Sequence, residues 1–373
     1  MDSKQINVGI VGGSLNNQWA SQTHIPALKA NLIYQIKAIG TSNMESAMKS
    51  AMEFNAIPFA DYSKLVESKD VDLVVVSVKV PFHYEIAKSA ISKGKHINCE
   101  WPLGRNTQEA IELAKLADKK GIHHAVGLQG RQSPEISYLK KALERNEIGK
   151  ILSCTMEVST QVKGRITDQR SAYLLKEENG ANLLTIHGGH ALDVLCHTLG
   201  DFKELSAIMN TNYKEAIIRE TGERIVKDTA DQILVQGTLG DNISTSIHIQ
   251  AGVSPKFHLE IRGEKGVFRL TQSNSSGHVQ FGNLRLEKIS HPDYSGLGDD
   301  KEGASIEEVM LPLEKDTSPK EYIEKAYNIF AKDILENKRK IPNFNDAVKL
   351  HRLLDNVRES AKSGRKIIIT DKE

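Results

Sequence analysis

A segment near the middle of the chain carries the side chains best suited to acid–base chemistry. His187, His190 and Asp193 follow one another at intervals of three residues, and side chains three or four residues apart lie on one face of a helix. Imidazole titrates near neutral pH, so His190 is a candidate acid–base catalyst with Asp193 beside it. The alternative is a histidine at a helix start that bonds to the backbone. The segment therefore predicts a group able to exchange a proton with a hydroxyl.

The same segment could also hold a metal ion. Imidazole nitrogens and carboxylates are common zinc ligands, and His187, His190, Asp193 and His197 share roughly one helical face. Spacing alone is weak evidence, because a motif remains a hypothesis until its structural context is known. We therefore predict no metal site.

A glycine turn follows the first strand-like segment. The apolar run from Ile6 to Val11 leads into Gly12-Gly13-Ser14. A dinucleotide-binding fold needs a turn almost free of side chains here, so that backbone N–H groups and the next helix can reach a pyrophosphate. Two positions where that motif usually has glycine are filled by serine and asparagine, which leaves a plain strand-to-helix turn as the alternative. We expect cofactor contacts from this turn and the start of its helix: Gly12, Gly13, Ser14, Asn16, Asn17 and Trp19.

The end of the second strand-like segment bears on the choice of cofactor. NAD sites usually place Asp or Glu there to bind the ribose 2′-hydroxyl. This chain has Gly40-Thr41-Ser42-Asn43, without a carboxylate to repel a 2′-phosphate. We predict that NADP or NAD is bound, with the 2′-phosphate tolerated, and that Thr41 and Ser42 contact the cofactor.

The order of elements predicts the fold class. From residue 6 to about 127, buried-type strands alternate with helical patterns, one of them expected from Trp19 to Ala30, which indicates a doubly wound parallel sheet. After Ser133, strands follow one another with turns between them. The stretch from Ser273 to Lys301 is rich in Gly, Ser and Asp and is expected to be mostly loop. The prediction is an α/β Rossmann domain (1–130) and an α+β domain (131–373) with a mostly antiparallel open sheet, whose closing helices can pack back on the Rossmann domain.

Composition narrows the class of protein. The 49 Lys and Arg residues nearly balance 48 Asp and Glu residues, so the formal net charge of +1 gives no reason to expect nucleic acid or an anionic membrane as partner. No apolar run approaches the roughly 20 residues that span a bilayer, and we see no signal peptide. Three widely spaced cysteines argue against a disulfide framework. We expect a reduced, cytoplasmic protein.

Several motifs together resemble a known family. They are Glu100-Trp-Pro-Leu-Gly104, His187-Gly-Gly-His-Ala-Leu-Asp193, Gly263-Glu-Lys-Gly266 and Asn345-Asp-Ala-Val-Lys-Leu-His-Arg352. Over almost its whole length the chain resembles the glucose–fructose oxidoreductase and inositol dehydrogenase family (Gfo/Idh/MocA). Within it, Thr23-His-Ile-Pro-Ala27, Gln129-Gly-Arg-Gln-Ser-Pro134 and Gln236-Gly-Thr-Leu239 look most like the branch of the yeast galactose-pathway repressor and its bacterial relatives. That repressor binds NAD(P) but acts as a regulator.

The resemblance implies hydride transfer at a sugar or polyol carbon. It also implies cofactor bound across the Rossmann strand ends, substrate in a cleft against the second domain's sheet, and homo-oligomers formed through that sheet's open face. The family typically uses the lysine of a Glu-Lys-Pro motif and a D-x-G-x-H motif. In this chain Glu100 and Pro102 match, whereas Trp101 occupies the lysine position and Ile186 the position of the first acid; the motif histidine is His190.

The remaining candidates follow from that resemblance and from position. An indole N–H donates hydrogen bonds but does not titrate usefully, so it cannot replace an ammonium as proton shuttle. Trp101 is therefore interpreted as a flat platform for a ring, with core packing as the alternative. His187 could stand in for the lost acid. Further cofactor contacts are expected from Lys79, His83, Glu100, Trp101 and Gln129, and substrate contacts from Trp101, Arg131, His187 and His190. The alternatives are a solvated strand-end lysine for Lys79 and an interdomain salt bridge for Arg131.

Two functions are compatible with this sequence. One is an NAD(P)-dependent oxidoreductase acting on a sugar, with His190, His187 and Asp193 as catalytic residues. The other is a catalytically silent NAD(P)-binding regulator that binds a protein partner. We favour the enzyme, because the retained histidine is a titratable group that a scaffold does not need.

Overall fold

The computed structural model describes residues 5–16, 18–273, 276–290, 305–309 and 318–370. The chain divides into two compact units. Unit 1 contains residues 1–129, 178–180 and 319–352, and unit 2 contains residues 130–177, 181–318 and 353–373.

A parallel sheet forms the centre of unit 1. Within the described residues its strands are β1 (Ile6–Val11), β2 (Tyr34–Gly40), β3 (Ile57–Phe59), β4 (Leu73–Val76), β5 (His96–Cys99) and β6 (His124–Val126). Their order is β3-β2-β1-β4-β5-β6, and every pairing is parallel. That is the order of a Rossmann sheet, so the predicted fold class is confirmed. All four residues of β4 are buried, as expected of a strand covered on both faces.

Helices connect these strands. They are α1 (Gln18–Gln22), α2 (His24–Lys29), α3 (Met44–Met52), α4 (Tyr62–Glu67), α5 (His83–Ser92) and α6 (Thr107–Lys120). The expectation of one helix from Trp19 to Ala30 is wrong, because the chain forms two helices with Thr23 between them. Pro26 is tolerated because it lies in the first turn of α2, where its missing N–H is not needed.

Unit 2 contains the helices α7 (Pro134–Glu144) and α8 (Gly189–Leu199), the second preceded by a π-helical turn at Leu183–Gly188. Its described strands are β7 (Ile151–Thr160), β8 (Ile166–Thr167), β9 (Phe202–Asn210), β10 (Glu215–Ile218), β11 (Arg224–Val226), β12 (Gln232–Leu239), β13 (Ile243–Ala251), β14 (Lys256–Gly263), β15 (Gly266–Gln272), β16 (Leu284–Ser290), β17 (Ser305–Glu308) and β18 (Ile367–Ile368).

These strands form a large sheet and a small one. The large sheet has the order β17-β16-β15-β14-β7-β13-β12-β9-β18, and the small one the order β11-β10-β8. In the large sheet β7 and β13 pair in parallel, while the other described pairs are antiparallel. The predicted mostly antiparallel sheet is confirmed. The expectation that Ser273 to Lys301 is mostly loop misses β16, which pairs with β15 over its whole length.

Two long helices, α9 (Pro319–Glu336) and α10 (Phe344–Ser363), come near the end of the chain. Tyr327 and Phe330 of α9 are buried in unit 1 among side chains of β1 and β2. Within the described ranges, no helix is both long enough and apolar enough to cross a membrane.

Candidate functional site

The turn after β1 accepts glycine alone at its first position. Gly12 has a φ of +87°, and a Cβ atom built on it would lie 2.0 Å from the carbonyl oxygen of Ser77. The N–H groups of Gly12 and Gly13 both donate to the carbonyl oxygen of Gly40, at 2.9 and 3.2 Å. The backbone at this turn is therefore bare and pinned to the end of β2, as a dinucleotide-binding turn requires.

Serine hydroxyls support the rest of the turn. The Leu15 N–H donates to Oγ of Ser50 (3.1 Å), and the Asn16 N–H donates to Oγ of Ser14 (3.2 Å). Oγ of Ser14 also lies 3.1 Å from Oγ of Ser46. Of the other predicted contacts here, Asn17 lies outside the described residues, and Trp19 packs against the core of unit 1.

The end of β2 is polar and leads into α3. The Thr41 hydroxyl donates to the carbonyl oxygen of Asn43 (2.8 Å), and Oδ1 of Asn43 accepts the N–H of Ser46 (2.8 Å), which caps α3. Ser42 is exposed. This short loop thus presents hydroxyl groups and a helix N-terminus at the position where many NAD sites carry a carboxylate.

A buried hydrogen-bonded chain fixes the carboxylate that follows β5. Nε2 of His24 lies 2.7 Å from Oε1 of Glu100, and Nδ1 of His24 lies 2.8 Å from the hydroxyl of Tyr327. A carboxylate oxygen can only accept a hydrogen bond, so the imidazole of His24 donates to Glu100 from Nε2 and accepts a hydrogen bond from the Tyr327 hydroxyl at Nδ1. Glu100 is therefore held from one side by residues of α2 and α9.

Trp101 is part of the interior of unit 1. Its side chain is 5% exposed, and its ring lies 4.7 Å from the ring of His351. The next peptide bond, to Pro102, is cis. The Pro102 carbonyl oxygen lies 2.8 Å from Nδ1 of His83, whose Nε2 lies 3.0 Å from the carbonyl oxygen of Val78. These contacts favour a packing role for Trp101 and a loop-bracing role for His83.

Burial lowers the pKa of His83, although its two carbonyl partners oppose this effect. The imidazole is therefore neutral near pH 7 and donates to one carbonyl at a time. Lys79, the other candidate in this region, is exposed at the start of the 3₁₀ turn Val80–Phe82.

Gln129 has a buried amide whose hydrogen bonds are unmade. The side chain is 3% exposed, and both Oε1 and Nε2 have no partner among the described residues. A buried amide left in this way costs free energy unless a ligand or water completes it. An amide that needs both a donor and an acceptor fits the carboxamide of a nicotinamide ring, and the bare turn at Gly12 fits a pyrophosphate. Unit 1 is therefore suited to a nicotinamide dinucleotide.

Unit 2 contains a cluster of basic side chains, Lys163, His187, His190 and His278, which we call the basic cluster; the first three are buried and His278 is half-buried. Nζ of Lys163, which follows β7, lies 3.2 Å from Nδ1 of His187 on the π-helical turn. The rings of His187 and His278 are 3.8 Å apart. His190 opens α8 and is close enough for its charge to lower the pKa of both imidazoles. Two predicted residues, His187 and His190, thus come together.

Burial governs the charge of the basic cluster. It lowers the pKa of Lys163 from its usual 10.5 to about 7. It also lowers the pKa of His187 and His278 well below the usual range, and the neighbouring basic groups push both in the same direction. The two imidazoles are therefore neutral at pH 7, while Lys163 can gain or lose a proton there.

The sequence did not lead us to predict Lys163 or His278 as site residues. Lys163 is the third residue after the end of β7. The alternating pattern of β7 predicts a strand of the sheet and gives no indication of a site beyond its end. His278 lies in the Gly- and Ser-rich segment that was expected to be loop, and its ring stacks on Phe281 at 4.3 Å. A lysine three residues after the end of the first strand of the second unit is a local signal that could have suggested a site.

Asp193 pairs with Arg131. Nε of Arg131 donates to both carboxylate oxygens, at 3.1 and 3.0 Å, and Nη2 donates to Oδ1 at 2.6 Å. Asp193 is almost fully buried and Arg131 is mostly buried. The predicted acid of the histidine segment is thus engaged in a bidentate ion pair within unit 2. In the parts of the chain that the structure describes, no group of three or more His, Cys, Asp and Glu side chains is arranged to hold a metal ion.

Known proteins match both parts of the chain. Residues 6–128 match the family described as "Oxidoreductase family, NAD-binding Rossmann fold", and residues 134–272 match "Gal80p, C-terminal domain". Dehydrogenase aclE of Aspergillus oryzae is 31% identical over 72% of this chain and 77% of its own length. The galactose/lactose metabolism regulatory protein GAL80 of Kluyveromyces lactis is 29% identical over 76% of this chain and 67% of its own length.

Solved structures share the fold over nearly the whole chain. The transcriptional regulator Gal80p of Kluyveromyces lactis has a TM-score of 0.84 at 26% identity, covering all of this chain and 96% of its own. A levoglucosan dehydrogenase in complex with NADH and L-sorbose has a TM-score of 0.84 at 21% identity, covering 98% of this chain and 99% of its own, which shows likeness of fold. The chain belongs to the Gfo/Idh/MocA oxidoreductase family, with an NAD-binding Rossmann fold and a C-terminal domain of the Gal80 type.

Proposed function

We propose that this protein is an NAD(P)-dependent oxidoreductase that oxidises or reduces one carbon of a sugar. The observation that carries the proposal is the basic cluster, in which His190 lies among buried titratable side chains and the pKa of Lys163 is about 7. Oxidation of a hydroxyl releases a proton, and a group that titrates near neutral pH can accept it. Imidazole is ordinarily such a group, and His190 supplies it although Trp101 replaces the lysine that the family usually uses.

In this proposal His190 exchanges the hydroxyl proton, and Arg131 holds Asp193 in place at the next turn of α8. A bound nicotinamide would accept or supply the hydride. The bare backbone at Gly12 and Gly13 would give its pyrophosphate room to approach, and the serine hydroxyls of the turn would donate to it; Gln129 would bind its carboxamide, and Thr41 and Ser42 the adenosine ribose. The hydroxyls at the end of β2 support the use of NADP as well as NAD, because no carboxylate of Thr41-Ser42-Asn43 would repel a 2′-phosphate.

Two related proteins support the two parts of this proposal, a dehydrogenase and a carbohydrate substrate. The relative aclE is named a dehydrogenase, and the levoglucosan dehydrogenase of the same fold was solved with NADH and L-sorbose. Transfer of those names to this chain is our inference, since related folds host different functions.

The test is a turnover assay with NAD⁺ and NADP⁺ over a panel of sugars and polyols, and with the reduced cofactors over their oxidised forms. We expect turnover of at least one sugar, and we expect His190→Gln to lower kcat about a hundredfold or more. His258→Gln is the matched control, because His258 is a half-buried histidine on β14 outside the basic cluster. Cofactor binding without turnover of any sugar in the panel would contradict the proposal.

A catalytically silent NAD(P)-binding regulator is the second candidate function. It is favoured by Trp101 at the usual lysine position and by the Gal80p match over residues 134–272. Affinity capture from the protein's own cells, with and without NADP, tests it. A single specific partner whose retention depends on NADP, together with an inactive sugar panel, would favour the regulator over the enzyme.

We also infer that the protein forms a homo-oligomer through the large sheet. Leu234 of β12 and Ile208 of β9 are cross-strand partners, and their side chains are exposed, as expected of a face that another subunit covers. Light scattering after size-exclusion chromatography should give more than one subunit, and a Leu234→Asp, Ile208→Asp variant should be monomeric. Leu335→Asp, at an exposed leucine of α9, should leave the subunit number unchanged.

A further inference from the structure

Lys163 and His187 of the basic cluster present donors without acceptors among the described residues. Nζ of Lys163 donates to Nδ1 of His187 when the lysine is charged, and this is its one hydrogen bond among the described residues. Because Nδ1 then accepts, the proton of the neutral imidazole is on Nε2. Nε2 of His187 is buried and has no partner among the described residues. Among the described residues, the ammonium group of Lys163 therefore has N–H bonds without an acceptor, and so has Nε2 of His187, which is buried.

His278 adds a further donor beside it. Nε2 of Gln280 donates to Nδ1 of His278 at 3.0 Å, so the proton of this imidazole is also on Nε2. The rings of His187 and His278 are 3.8 Å apart with 43° between their planes. Two imidazole N–H donors thus lie on neighbouring rings next to one ammonium group.

Among the described residues, the charged groups that shift the pKa of His187 and His278 are all basic. The groups that act on His187 are His278, Lys163 and His190, and those that act on His278 are Lys163 and His190, all of them basic. Burial alone shifts the pKa of Lys163. Asp193, on α8 close in sequence to His190, forms an ion pair with Arg131. Burying basic groups together is costly unless an anion compensates them.

We propose that Lys163, His187 and His278 bind the anionic group of an acidic carbohydrate, a carboxylate or a phosphate carried by the sugar on which the proposed oxidoreductase acts. Such a group supplies several acceptor oxygens to the donors, and charge-assisted hydrogen bonds of this kind are the stronger ones. This inference rests on the proposed function, since it names the class of sugar. Binding of the anion favours protonation of Lys163, so the complex takes up protons near neutral pH.

The experiment is calorimetry on the full chain saturated with NADP⁺, using D-glucuronate, D-glucose 6-phosphate and D-glucose as probes. We expect one of the two acidic sugars to bind at least about tenfold more tightly than glucose below pH 7. We also expect this preference to weaken as the pH rises above 7, with proton uptake visible when buffers of different ionisation enthalpy are compared. The two acidic sugars separate a carboxylate site from a phosphate site.

Lys163→Met keeps most of the length of the buried side chain and removes the charge. It should abolish the preference for the acidic sugar, whereas Lys256→Met, at an exposed lysine paired with Glu157, should retain it. His278→Phe keeps an aromatic ring, removes the donor and should weaken the preference. It provides the test in the event that Lys163→Met does not fold. Equal binding of glucose and both acidic sugars, no binding of either acidic sugar, or full preference in both variants would overturn the inference.

Turnover measured in parallel separates this inference from the proposed function. Preference for an acidic sugar without reduction of NADP⁺ would leave the anion site standing and remove the oxidoreductase. Turnover of neutral sugars without any preference for an acidic sugar would support the oxidoreductase and contradict the anion site.

Discussion

Nζ of Lys163 lies 3.2 Å from Nδ1 of His187, and both side chains are buried in unit 2. A lysine in such a place is costly to charge, because burial removes the water that would solvate its ammonium group. The pKa of Lys163 falls to about 7 for this reason. The pair therefore couples the protonation of the site to the stability of the protein.

Replacement of Lys163 by Met should change how stability depends on pH. Between pH 7 and 10.5 the unfolded chain holds a proton on this lysine that the folded chain has lost. The unfolded state then binds more protons, so the contribution of Lys163 to stability rises with pH across this window and is least favourable below pH 7. We expect Lys163→Met to be more stable near and below pH 7, with the difference from the unchanged protein narrowing on the order of a few kcal/mol by pH 10.5.

Urea unfolding at a series of pH values measures this difference. Lys256→Met is the control and should follow the pH profile of the unchanged protein. A constant difference between Lys163→Met and the unchanged protein at every pH would mean that Lys163 titrates normally.

Substitution of Gly12 by Ala should damage both folding and cofactor binding. The added Cβ would lie 2.0 Å from a backbone oxygen of Ser77, which cannot move without breaking β4 from its turn. Gly94→Ala is a matched control, since Gly94 also has a positive φ, of +73°, but an added Cβ meets nothing within 4 Å. We expect about 1 kcal/mol of destabilisation from Gly94→Ala and several times more from Gly12→Ala, by thermal unfolding, with NADPH fluorescence enhancement lost in Gly12→Ala alone. Equal effects would show that the close approach at Gly12 does not matter.

Substitution of Gln129 by Leu should affect the free protein and the complex in opposite directions. The amide of Gln129 is buried with both polar atoms unpartnered among the described residues, so its replacement by an apolar side chain should stabilise the cofactor-free protein by about 1–3 kcal/mol. If the amide binds the nicotinamide, the same change should weaken NADP⁺ binding about tenfold. Gln108→Leu, at an exposed glutamine that bonds Glu112, should change neither quantity. Lower stability without cofactor would argue against the assignment.

Removal of one partner from the Arg131 and Asp193 pair should be more harmful than removal of both. Asp193→Asn leaves a mostly buried guanidinium without its carboxylate, which costs about 3 kcal/mol or more. The double variant Arg131→Met, Asp193→Leu leaves no uncompensated charge and should lose clearly less stability. Chemical unfolding of the single and double variants measures the coupling. Additive losses would mean that the bidentate geometry contributes little.

The doubly wound sheet was open to prediction because its signals are local. Short apolar runs and glycine turns lie within one element or between two neighbouring ones, and they predict the alternation of strands and helices that unit 1 has. The break between α1 and α2 was not predicted, because it depends on the backbone conformation of Thr23 and the apolar pattern continues through that residue. Strand β16 was not predicted, because a segment rich in Gly and Ser can still form a strand when it pairs with a neighbouring strand, here β15.

The sequence by itself determined the class of cofactor fold, the bare turn at Gly12 and the histidine segment, because each depends on residues close together in the chain. Only the tertiary structure decided the partners: Lys163 and His278 beside His187, His351 against Trp101, and Arg131 on Asp193. These contacts join residues from distant elements. Their proximity follows from strand order and helix packing, and the charge each group carries follows from the burial that such packing imposes.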